Sequence, residues 1–207
     1  MILPPSVAGV AFSEAADGDI RNDAGAHARL SSRLGLSDQW ATVRQVHGSA
    51  VRHADDPGFQ GEADAVWTTR PRLPVAVFTA DCFGVVLRSP AAVGVAHAGW
   101  RGAAAEVVGR LRQEMIGGGH EPTGAVIGPG IRPCCFEVGE EVAQVFPTHT
   151  AITTWETISV DLTSVIAAQL EGLDLEIVDG CTRHENRFFS HRRDGLPRRQ
   201  VAIGWVS

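Results

Sequence analysis

The stretch VAVFTADCFGVVLRSPAAVGVAHAGWRGAAAEVVGRLRQEMIGGG, from Val75 to Gly119, decides the fold. Its first half holds three short, Val-rich runs, Val75–Thr79, Gly84–Leu87 and Ala92–Ala96, separated by turns that contain Asp, Ser, Pro or Gly. Such runs read as neighbouring strands. The second half changes period: Ala103–Met115 carries apolar residues near helical spacing and stops at Gly117, Gly118 and Gly119. A run of strands followed by a helix that packs back on them predicts α+β rather than strict βαβ alternation. Upstream, Ala41–Val46 and Asp64–Thr68 add strands, and Ala24–Leu34 reads as a surface helix ending before Gly35. Downstream, Gly124–Ile127, Leu175–Val178 and Gln200–Trp205 read as strands and Gly139–Phe146 as a helix. Asp161–Leu170 reads as a helix whose leading Asp suits a cap. No repeat, charge block or low-complexity linker interrupts the 207 residues, which predicts one domain over 1–207, with mixed β-sheets and packed helices.

Composition removes several kinds of chemistry. All 18 basic residues are arginine and there is no tyrosine, so a Schiff-base lysine, a Walker-type lysine, a serine–lysine dyad and a tyrosine acid are excluded. A formal charge of −6 argues against a nonspecific nucleic-acid or anionic-membrane binder. No apolar run approaches the roughly 20 residues of a membrane span, and MILPPSVAG lacks the basic start and long apolar stretch of a signal peptide. The expected compartment is therefore the cytoplasm. There the four cysteines, Cys82, Cys134, Cys135 and Cys181, are expected as thiols rather than a disulfide framework, and the adjacent Cys134 and Cys135 are poorly suited to an ordinary bridge.

Three segments carry reactive side chains out of predicted strands into turns: Gln45-Val46-His47-Gly48, Thr79-Ala80-Asp81-Cys82 and Ala96-His97-Ala98-Gly99-Trp100-Arg101-Gly102. Their spacing is not that of a zinc finger. If the strand ends meet, however, His47, Cys82 and His97 form a three-ligand zinc site with a fourth position open. A metal-free Cys82–His97 dyad, or a buried thiol and hydrogen-bonded imidazoles, accounts for the same residues. Arg44 and Arg101 are candidate anion binders. Arg44 lies three residues before His47, an odd offset that puts the two on opposite strand faces unless a bulge intervenes. Arg101 precedes the predicted helix, whose N-terminal amides also favour anions; packing against Trp100 is its structural alternative. Asp81 is a candidate to orient a ligating histidine, or to cap a turn.

Arg44-Gln45-Val46-His47-Gly48, Ala63-Asp64-Ala65, Thr79-Ala80-Asp81-Cys82, His97-Ala98-Gly99-Trp100-Arg101-Gly102, Ile127-Gly128-Pro129 with Phe136-Glu137-Val138-Gly139, and Phe188-Phe189-Ser190 with Arg192-Arg193 occur in that order. Together they resemble the laccase-domain family, named for multicopper polyphenol oxidation, whose bacterial members include the YfiH and YlmD proteins and a peptidoglycan editing factor. The resemblance implies a YfiH-like α+β domain with zinc on His47, Cys82 and His97. It further implies phosphorolysis of adenosine, inosine, guanosine and methylthioadenosine, together with adenosine deamination. Arg192 and Arg193, in the family-like segment, join Arg44 and Arg101 as candidates for the substrate and phosphate site. Copper oxidation does not fit eight scattered histidines with no His-x-His pair. His191 stands where the family commonly has Tyr, Leu196-Pro197-Arg198-Arg199 replaces a Thr-Gly-Arg-like continuation, and the residues before 40 lack the usual Asn-Leu-Gly segment. These departures bear on substrate contacts and leave the three ligands intact.

Other function classes remain at this level. An amidase that edits a misloaded muramyl precursor, or a Cys82–His97 hydrolase, would use the same residues. A noncatalytic zinc-dependent interaction module would close the site with a fourth side chain, for which Cys181 and His191 are the candidates.

Overall fold

The computed structural model describes residues 1–207. In chain order the strands are β1 (Val10–Phe12), β2 (Ala41–Arg44), β3 (Val51–His53), β4 (Gly58–Glu62), β5 (Ala65–Thr68), β6 (Val75–Thr79), β7 (Phe83–Arg88), β8 (Val93–Ala98), β9 (Gly124–Ile127), β10 (Thr150–Ile152), β11 (Ile158–Val160), β12 (Asp174–Ile177) and β13 (Gln200–Gly204). The helices are α1 (Ala24–Leu34), α2 (Trp100–Ala104), α3 (Val107–Gly117), α4 (Glu140–Ala143), α5 (Leu162–Ala168) and α6 (His191–Asp194). One sheet has the order β1-β13-β6-β2-β4, with β2 parallel to both of its neighbours and the other pairs antiparallel. A second has the order β12-β9-β7-β8-β5-β3, parallel at its two edge pairs and antiparallel between them. A β10–β11 hairpin stands apart. The fold is α+β with mixed sheets, as the order of elements predicts.

Strand periodicity stacks these elements in four layers. Val10, Phe12, Val43, Val75 and Val77 of the five-stranded sheet meet Val66, Val86, Val93, Val95 and Val126 of the six-stranded one in a buried inter-sheet core. The alternate residues face outward: Ala11, Ala76, Val201 and Ile203 receive Ala26 and Leu30 of α1. On the far side, Ala65, Val85, Leu87 and Ala96 receive Val107, Val108, Leu111 and Met115 of α3 and Val165 and Ile166 of α5. Gly84 permits the two sheets to close, because a Cβ there would overlap that of Ala202 on β13. Gly84→Ala is therefore expected to destabilise the fold by roughly 1–3 kcal/mol, the cost of overpacking a filled core, as a lower midpoint in urea unfolding.

Several expected elements change length. The helix predicted over Ala103–Met115 is two helices broken at Ala105 and Glu106, where Glu106 adopts a left-handed φ of 57°. The break lets α2 pack on α5 while α3 lies across β8 and β5. Of Gly139–Phe146 only Glu140–Ala143 is α-helical. Asp161 does cap α5, accepting from the Thr163 and Ser164 amides. The strands β1, β3, β4, β10 and β11 lie outside the expected set; β3, β4 and β10 bury little surface and so carry no Val-rich apolar run. No helix is long and apolar enough to cross a membrane.

Candidate metal centre

Chain passage from one sheet to the other builds the site. β6 belongs to the five-stranded sheet and β7 to the six-stranded one, and Cys82 sits in the turn between them. β8 carries Val93, Val95 and His97 on its inter-sheet face, so His97 emerges at the open end of that core. Beyond β2, the Gln45 side chain continues the ladder in place of backbone, donating to Phe78 O and accepting from Phe78 N, each at 2.8 Å. The next turn throws His47 over the same end. The ligand atoms of His47, Cys82 and His97 thus lie within 4.8 Å of one another, with the two imidazole rings edge-on at 4.9 Å. Burial is graded from exposed His47 through Cys82 to buried His97, which leaves one side of the cluster facing solvent.

Asp64 organises this arrangement. It lies opposite His97 across the β5–β8 pair, one residue before β5, and is fully buried. Its carboxylate accepts from the Val46, His47 and Gly48 amides at 3.2, 3.0 and 2.7 Å and from His97 Nδ1 at 2.8 Å. The three amide bonds hold His47 in a left-handed conformation, φ 60°, that a non-glycine residue rarely adopts. The fourth occupies Nδ1 of His97 and leaves Nε2 to face Cys82. Burial alone would raise the Asp64 carboxyl; the bonds from His97 and from the loop amides hold it below the usual carboxylate range. The glycines of His97-Ala98-Gly99-Trp100-Arg101-Gly102 keep the space clear. A Cβ on Gly99 would lie 2.8 Å from Cys82 Sγ, and one on Gly102 3.2 Å from the Gly48 carbonyl.

The expectation that Asp81 orients a ligating histidine is corrected: Asp64 does so. Asp81, at φ 85°, accepts instead from Thr182 Oγ1 and from the Arg192 amide, docking the C-terminal segment beside the site. Two of the four arginine candidates also lie elsewhere. Arg44 pairs with Glu62 across the β2–β4 ladder, at an exposed bulge away from the pocket. Arg193 is turned into the protein, where it donates to the Thr182, Arg183, Glu185 and Phe188 carbonyls and holds the segment after Cys181 together. Arg101 and Arg192 do line the cavity that contains the three ligands, about 340 Å³ in volume. Arg101 lies over the Trp100 ring at 4.3 Å, and Arg192 donates to the Glu137 carbonyl. Arg21 and Arg199 complete the basic lining, and Phe78, Trp100 and Phe136 supply aromatic surface. Arg21 was unreadable as a site residue because it comes from the weakly patterned N-terminal region. His191 also lines this cavity, whereas Cys181 clusters separately with Cys134 and Cys135.

Electrostatics favour charge separation between two of the ligands. Burial works against ionising Cys82, but the His97 cation and hydrogen bonds from both imidazoles outweigh it and lower the thiol to about 6. Burial likewise disfavours charged His97, yet the Cys82 thiolate and Asp64 raise it to about 9. The pair is a thiolate–imidazolium between those values. A thiolate and two imidazoles suit a borderline-soft ion. Coordination requires neutral His97 and ionised Cys82, so binding displaces one proton from this pair between about pH 6 and 9, two below and none above. Affinity should accordingly rise about tenfold per pH unit across that window from this pair. Calorimetry in buffers of different ionisation enthalpy reads the released proton directly.

A family model described as multi-copper polyphenol oxidoreductase laccase matches residues 12–207. The chain belongs to this family. This laccase-family chain is 37% identical over 221 residues to a purine nucleoside phosphorylase of Deinococcus radiodurans, a match that covers 95% of this chain and 86% of that one. It is 32% identical to the purine nucleoside phosphorylase YfiH of Escherichia coli, covering 86% and 78%. YlmD from Geobacillus stearothermophilus shares the fold with a TM-score of 0.85 at 26% identity, covering 99% of this chain and 94% of that one. The laccase family's name speaks of copper. Of this member's eight histidines only His47 and His97 join a ligand cluster, while His27 and His53 stack on Trp40 and Trp67.

Proposed function

We propose that the chain is a zinc-dependent purine nucleoside phosphorylase acting on adenosine, inosine, guanosine and methylthioadenosine, with adenosine deamination as a second reaction of the same site. The observation that carries this reading is the convergence of His47, Cys82 and His97 on a cavity lined by both aromatic rings and guanidiniums. The relatives named purine nucleoside phosphorylase supply the reaction class. Zinc, when bound by His47, Cys82 and His97, supplies a Lewis acid at one end of the cavity.

The chain's own residues then bind and orient. Phe78, Trp100 and Phe136 offer apolar faces for the purine. Arg21 and Arg101 line the cavity without hydrogen bonds to protein acceptors, so their forks are free for phosphate. In phosphorolysis a phosphate oxygen bonds to ribose C1′ as the bond from C1′ to purine N9 breaks, and its electron pair leaves with the base. Guanidiniums placed on the phosphate hold that nucleophile in line without a mobile ammonium group.

Incubation with adenosine should release adenine only when phosphate is present, while inosine formation should proceed without phosphate; both are read by chromatography. Arg101→Ala is expected to raise the phosphate KM by roughly 10–100-fold, the loss of a charged hydrogen bond, and to leave deamination largely intact. Equal loss of both reactions would remove Arg101 from the phosphate site. The Cys82 thiol at about 6 favours a second reading, in which Cys82 is itself the nucleophile of a hydrolase. Turnover that survives complete metal removal would select it.

A further inference from the structure

The nucleoside reaction makes no use of the adjacent Cys134 and Cys135, yet the fold brings a third thiol to them. The sulfurs of Cys134, Cys135 and Cys181 all lie within 4.8 Å of one another, and those of Cys134 and Cys135 are 3.5 Å apart. Thiolates sharing one tetrahedral ion at about 2.3 Å stand ~3.8 Å apart, inside that range. Backbone bonds hold both sides of the cluster. Cys181 bridges to Gly130, the Thr182 amide donates to the Gly130 carbonyl, and the Thr154 amide donates to the Cys134 carbonyl at 3.0 Å. The Arg132 amide points at Cys181 Sγ from 3.4 Å, the kind of contact that steadies a thiolate ligand.

Charge is compatible with the same arrangement. The half-buried Arg132 guanidinium forms no salt bridge; it donates to the Gly180 and Val178 carbonyls and to Thr163 Oγ1, all neutral. Asp161 and Asp179 act on that charge without forming an ion pair, and Cys181 and Cys134 stand beside it as well. Three thiolates around one divalent ion carry a net charge of −1, a sign this cation favours. Cys134 and Cys181 also line an open cavity of about 630 Å³ separate from the nucleoside pocket. Of the carboxylates lining it, Glu185 is taken up by the Cys181 amide and by Arg187, and Asp179 accepts from the Gly180 amide. The exposed His184 lines the same cavity but stands outside the cluster of three sulfurs.

We propose that Cys134, Cys135 and Cys181 form a second metal site, for a thiophilic divalent ion of the zinc type, with its fourth position open to the adjoining cavity. The three thiols give up three protons to solvent as the ion binds, and no electron is transferred. Sulfur donors select against magnesium and calcium, which take oxygen ligands.

The test removes the first centre and counts what remains. Full-length His97→Ala/Cys82→Ser, kept reduced, loaded with excess zinc and desalted, should retain about one zinc per chain by elemental analysis. Adding Cys181→Ser should reduce this to near zero. Cobalt in the double variant should give sulfur-to-metal charge-transfer absorption that the triple variant lacks. Because these variants can misfold, the wild-type protein provides a second readout: zinc should slow alkylation of Cys134, Cys135 and Cys181 at least tenfold, measured by peptide mass. A double variant without zinc, together with unchanged alkylation of these three cysteines in the wild type, overturns the proposal. Neither readout depends on nucleoside turnover, so failure here and failure of the phosphorylase reading are separable.

Discussion

Asp64→Ala is expected to destabilise the protein by roughly 3–5 kcal/mol, as breaking a buried charge pair does, and to weaken metal binding by at least about 10–100-fold. The carboxylate serves four donors, so its loss strands the Val46, His47 and Gly48 amides and His97 Nδ1 together. The buried His97 donor left unpaired costs about 1–3 kcal/mol, while the part-buried loop amides cost less because the loop can relax toward water. His47 would then have no reason to stay at φ 60°. Asp64→Asn should recover only part of the loss. Two donors meet each carboxylate oxygen, and an amide nitrogen placed at either one faces hydrogen instead of accepting it. Urea unfolding and a metal titration read the two effects separately. Wild-type stability in both Asp64 variants would show that the loop holds itself.

His97→Ala is expected to abolish tight binding at the first centre and to lower kcat/KM for nucleoside phosphorolysis by about a thousand-fold or more. Removing one of three ligands takes away the electrophile, whose contribution is several kcal/mol at about tenfold per 1.4 kcal/mol. The substitution also leaves buried Asp64 without its imidazole partner, so thermal stability must be measured alongside turnover. Normal turnover by a folded, metal-analysed His97→Ala would sink the metal-centred mechanism, and stoichiometry would show whether zinc had ever occupied that centre.

Legibility in the sequence followed physical range. α1 was readable because its stop is local: Gly35 takes the left-handed position after the last turn, and the structure adds Asp23 as the cap of the Gly25 and Ala26 amides. β6 and β9 were equally plain, since each is a short Val- or Ile-bearing run between turn residues. The break at Glu106 was invisible because apolar spacing continues through it; only the different surfaces beneath α2 and α3 require it. Among the arginines, Arg44 and Arg101 were both candidate anion binders in the sequence. One is spent on Glu62 across a ladder, whereas the other meets the cavity.

The amino-acid order by itself determined the kinds of group available: guanidinium rather than ammonium, two imidazoles and a thiol at strand ends, and glycines where they leave the chain room. It also determined the α+β succession, because helix and strand periods are written over neighbouring residues. Which carboxylate would serve His97 was decided only by register. Asp64 and Asp81 each stand beside a motif, but the β5–β8 pairing puts Asp64 opposite His97, while Asp81 turns to Thr182 and Arg192. The separation of four cysteines into one imidazole-bound thiol and one group of three was likewise a tertiary outcome. Such choices depend on contacts between segments tens of residues apart, and no local pattern in the chain encodes which of two chemically equal side chains will arrive.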